Sequence, residues 1–160
     1  PYEIDKKIFV VAPHTSNWDF PVGLLLRSAM NDKIKFIGKK SLFKPPLGWI
    51  MYPLGGIPVD RSKRTSFTQS VAELFKSRDR LAIAVAPEGT RKKVEKFKSG
   101  YYYIALEAGV PIIPTVFNWH DKQVEFRDAI YFKGHAADEM KAVEAIFRPY
   151  KGRNPENSFN

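Results

Sequence analysis

The stretch IFVVAPHTSNWDFPVGLLLRSAM, residues 8–30, predicts the architecture of this chain. Ile8–Ala12 is a short, continuously apolar run of the kind that forms a strand buried on both faces of a sheet. The run stops at Pro13, and apolar residues recur at helical spacing over Phe20–Met30, with Pro21 in a first helical turn that tolerates proline. A buried strand followed directly by a helix is the repeating unit of an α/β sheet.

The same alternation continues along the chain. Further strands are predicted at Ile34–Ile37, Gly56–Val59, Leu81–Ala86 and Ile112–Phe117, a hairpin at Gln123–Phe132, and helices at Thr65–Arg78, Gly100–Ala108 and Ala136–Phe147. This order predicts a single α/β domain over residues 1–150, with a mixed, mostly parallel sheet flanked by helices on both faces. The polar end, residues 151–160, is expected to form a loosely ordered tail.

Composition and charge limit the classes of function. The 160 residues include no cysteine, which excludes thiol nucleophiles, disulfides and thiolate metal sites. A formal net charge of +9 predicts attraction to polyanions, whether nucleic acid, anionic lipid headgroups or phosphorylated small molecules. No apolar run is long enough to cross a bilayer. Because the chain begins at Pro1 and not at Met, there is room for an upstream membrane helix or targeting segment.

A potential base and a carboxylate, His14 and Asp19, flank the predicted turn between the first strand and the first helix. From the first helical turn, the Asp19 carboxylate can reach back to the imidazole, hold one tautomer and stabilise the imidazolium. His14 would then be a general base. The alternative is structural: Asp19 caps the helix, alone or in a capping box with Ser16, and His14 merely ends the strand. An isolated short motif does not decide between the two.

Four blocks, in order along the chain, resemble the glycerolipid acyltransferases, typified by 1-acylglycerol-3-phosphate acyltransferase. Residues 14–19 match the family's His-x4-Asp signature, GGIPVDR at 55–61 is similar to its second block, PEGTR at 87–91 matches its third, and VPIIP at 110–114 matches its fourth. The resemblance implies a fold of the glycerol-3-phosphate acyltransferase type, with residues 1–150 as the acyltransferase domain.

The resemblance also implies an O-acyltransferase of phospholipid biosynthesis. With His14 and Asp19 as catalytic residues, a fatty acyl group would pass from acyl-coenzyme A or acyl carrier protein to the hydroxyl of a lysophospholipid such as lysophosphatidic acid. No cofactor or metal beyond this co-substrate is expected. The resemblance assigns the acceptor phosphate to Arg61, Glu88, Gly89 and Arg91, and the acyl or catalytic region to Ile113 and Pro114.

Most of these assignments have structural alternatives. Arg61 can present a planar fork of donors to a phosphate, or form an ordinary surface ion pair with Asp60. Arg91 begins the charged segment 91–98, which a solvated loop also explains. An apolar strand that only fills the core would contain the same residues as Ile113 and Pro114.

A lipid acceptor lies in a bilayer, so the resemblance implies a peripheral enzyme on the cytoplasmic side of a membrane that contains anionic lipid. The uncharged stretch 45–59, with lysines beside it, has the composition of an interfacial anchor. Membrane contact is predicted for Trp49, Ile50, Met51 and Tyr52. A buried hydrophobic connector would have the same composition.

Other classes of function fit parts of the sequence. A basic nucleic-acid-binding module leaves the ordered blocks unexplained, so no nucleic acid partner is expected. A serine-type lipid hydrolase would use Ser16 near His14, but residues two apart constrain the geometry and no Gly-x-Ser-x-Gly elbow is present. His14, His120 and His135 lack metal-ligand spacing, and His120 with Asp121 is predicted to form a polar turn.

Overall fold

A computed structural model describes residues 3–30, 33–59 and 64–159. The strands are β1 (Lys6–Ala12), β2 (Lys35–Lys39), β3 (Gly56–Val59), β4 (Leu81–Val85), β5 (Ile112–Asn118) and β6 (Gln123–Phe126). The helices are α1 (Asp19–Ala29), α2 (Gly48–Met51), α3 (Arg64–Lys76), α4 (Gly100–Ala108) and α5 (Ala136–Phe147), with short 3-10 helices at Lys40–Phe43 and Pro155–Asn157.

The strands form one 6-stranded sheet in the order β3-β2-β4-β1-β5-β6. Strands β1 to β5 run parallel, and β6 pairs antiparallel with β5. Val10 lies beside Val85 of β4, and Ala12 lies beside Val116 of β5. The carboxyl ends of β4, β1 and β5 therefore meet at one edge, which is where sheets of this kind bind ligands.

The alternating side chains of β1 divide the core between the two faces of the sheet. Ile8 and Val10 join the larger cluster, which α3, α4 and α5 cover. Phe9 joins a smaller cluster on the other face, where Leu26 of α1 and Met30 pack. Because both faces are covered, an uninterrupted apolar strand is stable at the centre of the sheet. The predicted fold class, a mostly parallel sheet with helices on both faces, is confirmed.

The hairpin expected within Gln123–Phe132 is corrected by the structure. Residues 123–126 pair with β5 instead, through a turn at 119–122. Beyond β6, Ile130 makes one isolated bridge to Ile112. The edge of β5 offers unpaired backbone groups to the first extended segment that follows it, so the chain folds back onto β5 directly.

The expected loosely ordered tail is also corrected. Ser158 and Phe159 are buried. The Phe159 ring lies 4.4 Å from the ring of Phe97, and the Arg148 guanidinium lies 4.8 Å from its centre. Burial of the Phe159 ring contributes roughly 1.5–3 kcal/mol, which orders a segment whose composition is otherwise polar.

Candidate active site

The turn between β1 and α1 brings His14 and Asp19 into contact. His14 Nδ1 lies 3.0 Å from Asp19 Oδ2. β1 ends at Ala12 and α1 begins at Asp19, so the carboxylate reaches back across the turn as the sequence predicts. We call residues 14–19 the His-Asp turn.

Further donors hold the Asp19 carboxylate in place. Oδ2 also accepts hydrogen bonds from the backbone N–H groups of Thr15 and Ser16, at 3.0 and 2.9 Å. Oδ1 accepts one from the indole Nε1 of Trp119, at 2.9 Å. The bond from the Ser16 N–H, three residues earlier, is the one that the predicted capping box requires, and Ser16 Oγ accepts the N–H of Trp18 at 3.2 Å. The same carboxylate therefore orders the start of α1 and orients His14, so the two interpretations do not exclude each other. Both oxygens of this buried carboxylate are satisfied.

The other ring nitrogen of His14 is available for chemistry. A proton on Nδ1, shared with Asp19, leaves the lone pair on Nε2 at the opposite edge of the ring. Among the described residues, none forms a hydrogen bond with Nε2. The His14 side chain is 28% exposed, so a reactant can approach it from solvent. This is the geometry that a general base requires.

Glu88 positions His14 from the turn that follows the neighbouring strand, β4. Its Oε2 accepts a hydrogen bond from the backbone N–H of His14, at 2.8 Å, and the side chain is buried. Burial raises the pKa of the Glu88 carboxyl to about 7, against the opposing hydrogen bond from His14. The structure thus gives this buried side chain a backbone partner in the His-Asp turn. Its assignment to the acceptor phosphate stays a prediction from the resemblance.

The rest of the third block also lies beside the His-Asp turn. Gly89 has a φ of +65° and closes a turn by donating its N–H to the carbonyl of Ala86, at 3.1 Å. Glycine adopts this left-handed conformation without a steric penalty. The Arg91 guanidinium hydrogen-bonds the side-chain oxygen of Asn17. Arg61 and its neighbour Asp60 lie outside the described residues.

Ile113 and Pro114 lie within β5 and not at its carboxyl end. Ile113 is fully buried in the smaller core cluster, with Phe9 as a neighbour. Pro114 pairs with Val10, and its carbonyl accepts a hydrogen bond from the N–H of Arg127 at 2.9 Å. The structure therefore does not bring these two residues against His14, and their assignment to the acyl region stays a prediction.

Sequence reasoning missed the contribution of the C-terminal segment, residues 150–159. The backbone N–H of Asn154 donates to Thr15 Oγ1 at 3.1 Å, and its side-chain amide donates to the Thr15 carbonyl at 2.9 Å. A Cβ on Gly152 would lie 2.3 Å from Thr15 Oγ1. Trp119 was also missed, although it follows β5 just as His14 follows β1, and that position was a usable signal. No local pattern marks Asn154.

The serine-hydrolase alternative loses support from the geometry. Ser16 is buried, and its Oγ accepts a hydrogen bond from the Trp18 N–H at 3.2 Å; within the described ranges no hydrogen bond joins it to His14. A serine nucleophile needs that contact for activation. His120 lies in the turn between β5 and β6, as predicted, and no group of three or more metal-ligating side chains is found in the part of the chain that the structure describes.

Apolar side chains project into solvent around α2. Trp49, Ile50 and Tyr52 are 73%, 57% and 54% exposed, whereas Met51 is half-buried. The segment packs on the buried side chain of Phe43, whose ring lies 5.0 Å from that of Tyr52. The buried-connector alternative therefore fails for most of this segment. We call Leu47, Trp49, Ile50 and Tyr52 the apolar surface. No helix within the described residues has the length and apolar character needed to span a bilayer.

Comparisons with known proteins agree with this geometry. The family model described as Acyltransferase matches residues 3–118. The 1-acyl-sn-glycerol-3-phosphate acyltransferase of Haemophilus influenzae is 30% identical over 89% of this chain, and its counterpart from Escherichia coli is 35% identical over 66%. The crystal structure of the 1-acyl-sn-glycerophosphate (LPA) acyltransferase PlsC from Thermotoga maritima superposes with a TM-score of 0.63 at 27% identity, covering 89% of this chain.

The relatives are longer than this chain. It spans 65% of the Haemophilus influenzae protein, 44% of the Escherichia coli protein and 64% of the Thermotoga maritima chain.

Proposed function

This chain belongs to the acyltransferase family, and from that premise we propose that it transfers a fatty acyl group from a thioester to the hydroxyl of a lysophospholipid. Lysophosphatidic acid is the first acceptor to test, since the similar proteins carry the name of that activity. The observation that carries the proposal is the contact between His14 and the buried Asp19 at the carboxyl edge of the sheet. It supplies a base of fixed tautomer where a parallel sheet binds its ligands.

In the proposed reaction, His14 Nε2 takes the proton of the acceptor hydroxyl while that oxygen attacks the thioester carbonyl. Asp19 stabilises the imidazolium that forms. The tetrahedral intermediate then expels the thiolate as the C–S bond breaks, and the imidazolium returns the proton to sulfur. The products are an ester and a thiol, with no acyl-enzyme, cofactor or metal. General-base help is worth about 10²–10⁴-fold, and holding both reactants together contributes further.

We place the acceptor phosphate on the β4 side of His14. Arg91 and Gly89 lie there, and the contact of Arg91 with Asn17 holds the guanidinium next to the His-Asp turn. A guanidinium beside a tight glycine turn offers charge and N–H donors to a phosphate. By resemblance, Arg61 contributes a second cation.

We further propose that the apolar surface rests on a membrane. Exposed Lys39, Lys40 and Lys44 flank it, so apolar side chains and positive charge face the same lipid headgroup region. Arg27 of α1 hydrogen-bonds the Leu54 carbonyl just beyond α2, which joins this surface to the helix that begins at Asp19. A lipid acceptor could then reach the His-Asp turn without leaving the bilayer surface. The enzyme would act peripherally, on the cytoplasmic face with its anionic lipid.

A thiol-release assay tests the activity and the acceptor together. The chain is incubated with palmitoyl-coenzyme A and, in separate reactions, lysophosphatidic acid, lysophosphatidylcholine, glycerol 3-phosphate or no acceptor. We expect release of thiol with lysophosphatidic acid, matched by ester formation. Release of free fatty acid without an acceptor would indicate a hydrolase, and no release with any acceptor, with either palmitoyl-coenzyme A or palmitoyl carrier protein, would contradict the proposal.

A further inference from the structure

The C-terminal segment places a cation on the side of the His-Asp turn opposite to Arg91. Building on the proposed function, we infer that Arg153, held against Trp18 and Trp119, binds the phosphate of the acyl donor. Coenzyme A and acyl carrier protein both present the thioester on a 4′-phosphopantetheine arm, so one phosphate site would serve either donor.

Two indole rings hold the guanidinium. Arg153 Cζ lies 5.0 Å from the centre of the Trp18 ring and 5.7 Å from that of Trp119. Both rings are tied to the catalytic pair, because Trp18 precedes Asp19 and Trp119 donates to Asp19 Oδ1. Cation-π contact fixes a guanidinium over aromatic faces without requiring a hydrogen-bond acceptor.

The donors of Arg153 are not used within the protein. Its guanidinium carries N–H groups in a planar fork that suits a phosphate. Across the described residues, no carboxylate pairs with it and no acceptor takes a hydrogen bond from it. By contrast, Arg127 lies 5.7 Å from the ring centre of Tyr150 and also pairs with Glu125 at 2.7 Å. Arg153 is thus an arginine that is held in place yet keeps its capacity to bind an anion.

The sheet order separates this cation from the proposed acceptor site. His14 follows β1, which lies between β4 and β5. Arg91 approaches from the β4 side, whereas Trp119 follows β5 and brings Arg153 with it. A base that lies between two cations can receive one phosphate-bearing reactant from each side. If the acceptor phosphate lies on the β4 side, the β5 side is left for the donor.

A groove extends from Arg153 between the β5-β6 turn and the C-terminal segment. Its volume is about 600 Å³, and its lining includes Trp119, His120, Lys151 and Arg153. The carboxylate that also lines it, Asp121, accepts a hydrogen bond from the side-chain amide of Asn118 at 2.8 Å. A volume of this size lies within the range of small-molecule sites, and the lining includes the cationic side chains of Lys151 and Arg153, which favour a phosphate-bearing ligand.

The segment that carries Arg153 is fixed on both sides of it. Asn154 binds Thr15 of the His-Asp turn, and the Gly152 N–H donates to Ser158 Oγ at 2.9 Å. Phe159 anchors the end of the segment in the core. A preorganised cation loses little conformational entropy on binding, which favours a binding role over a solvated surface charge.

Donor selectivity tests the inference. Wild type and Arg153→Gln are compared with palmitoyl-4′-phosphopantetheine and palmitoyl-pantetheine, which differ in the phosphate alone. We expect wild type to prefer the phosphorylated donor by about tenfold in kcat/KM, the scale of a charge-assisted hydrogen bond. Arg153→Gln should reduce that ratio to about twofold or less through the donor KM, while kcat and the acceptor KM stay unchanged.

Arg127→Gln is the matched control, since it removes a guanidinium that contacts the same C-terminal segment through Tyr150. It should keep the tenfold ratio. An unchanged ratio in Arg153→Gln, a rise confined to the acceptor KM, or equal use of both donors by wild type would overturn the inference. Equal use of both donors by wild type would overturn it even if neither variant folded.

Direct binding separates this inference from the proposed function. The chain has 3 tryptophans, so in a Trp49→Phe background the remaining two, Trp18 and Trp119, both flank Arg153. Tryptophan fluorescence should change on titration with 4′-phosphopantetheine and not with pantetheine, even if no acyl transfer is detected. No change, or a change with glycerol 3-phosphate alone, would overturn the donor site.

Discussion

The His-Asp turn connects β1 to α1, and the apolar surface lies in the connection between β2 and β3. The two connections differ in which side chains they expose to solvent. In the turn, Asp19 is buried and each of its oxygens accepts hydrogen bonds. Around α2, Trp49 and Ile50 remain more than half exposed. One region uses its polar groups to fix a single geometry, and the other leaves apolar area free for contact.

This contrast indicates a division of labour. A fixed carboxylate is useful for orienting a base, since a small displacement is costly in catalysis. Exposed apolar area is useful for partitioning into lipid, which needs surface more than precision. Substitutions in the turn should therefore change the rate of chemistry, and those in the apolar surface should change where the enzyme acts.

The largest effect is expected from His14→Ala. Removing the imidazole removes the base, so kcat/KM should fall by about 10³-fold, within the range for general-base catalysis. The melting temperature should stay close to that of wild type, because the His14 side chain is partly exposed and its backbone N–H still donates to Glu88. Steady-state thiol release, with thermal melting alongside, checks both. If His14→Ala kept more than a tenth of wild-type activity, the assignment of the chemistry to the His-Asp turn would be contradicted.

The next largest effect on activity is expected from Asp19→Asn. The amide cannot satisfy donors on both sides, since the N–H groups of Thr15 and Ser16 meet one oxygen and Trp119 Nε1 meets the other. We expect kcat to fall by about 10²-fold with the acceptor KM little changed, because the imidazolium loses its counter-charge. Adding Trp119→Phe to Asp19→Asn should restore some stability by removing the unmatched donor. An Asn variant with wild-type kcat would contradict this account.

Trp49→Ala combined with Ile50→Ala tests the other region. Loss of two exposed apolar side chains should weaken binding to vesicles that contain anionic lipid by about a hundredfold or more, since each such side chain contributes roughly 1.5–3 kcal/mol when fully buried and tenfold corresponds to about 1.4 kcal/mol. Vesicle co-sedimentation measures the partition. Turnover of a water-soluble short-chain acceptor should be unchanged. Tyr131→Ala, which removes an aromatic residue that is also exposed, is the control and should bind vesicles like wild type.

The smallest effect concerns pH and Glu88. Burial raises the pKa of this carboxyl to about 7 from an ordinary 4.5, so the folded state holds the proton more tightly than the unfolded state. Its contribution to stability is present below pH 4.5 and is lost as pH rises towards 7. Relative to Glu88→Gln, which keeps an acceptor for the His14 N–H, the wild-type melting temperature should therefore decrease between pH 4.5 and 7. Parallel melting curves for the two proteins over this window would refute the prediction.

Much of the fold was predictable because its signals are local. The apolar run at Ile8–Ala12 and the helical spacing after it mark a central strand and its helix, and both are present. The His14 to Asp19 contact was also predictable, since it spans one turn. The partners that depend on the folded sheet were not. Glu88 and Trp119 contact this turn from the segments after β4 and β5, and only the sheet order makes those strands the neighbours of β1.

The C-terminal segment shows the same limit in another form. Its composition is polar, and composition predicted a tail. Its order comes from a few specific contacts, the burial of Phe159 and the hydrogen bonds of Asn154 to Thr15, across 139 residues of sequence separation. No local pattern encodes contacts of that range.

The central claim is that His14 activates an acceptor alcohol for direct attack on the thioester. The most direct test follows thiol and ester in the same reaction, in wild type and in His14→Ala, with the acceptor present or withheld. Wild type should release one thiol for each ester formed and none before the acceptor is added, and His14→Ala should release almost none. A burst of thiol from wild type without acceptor, or equal turnover by the alanine variant, would contradict the claim.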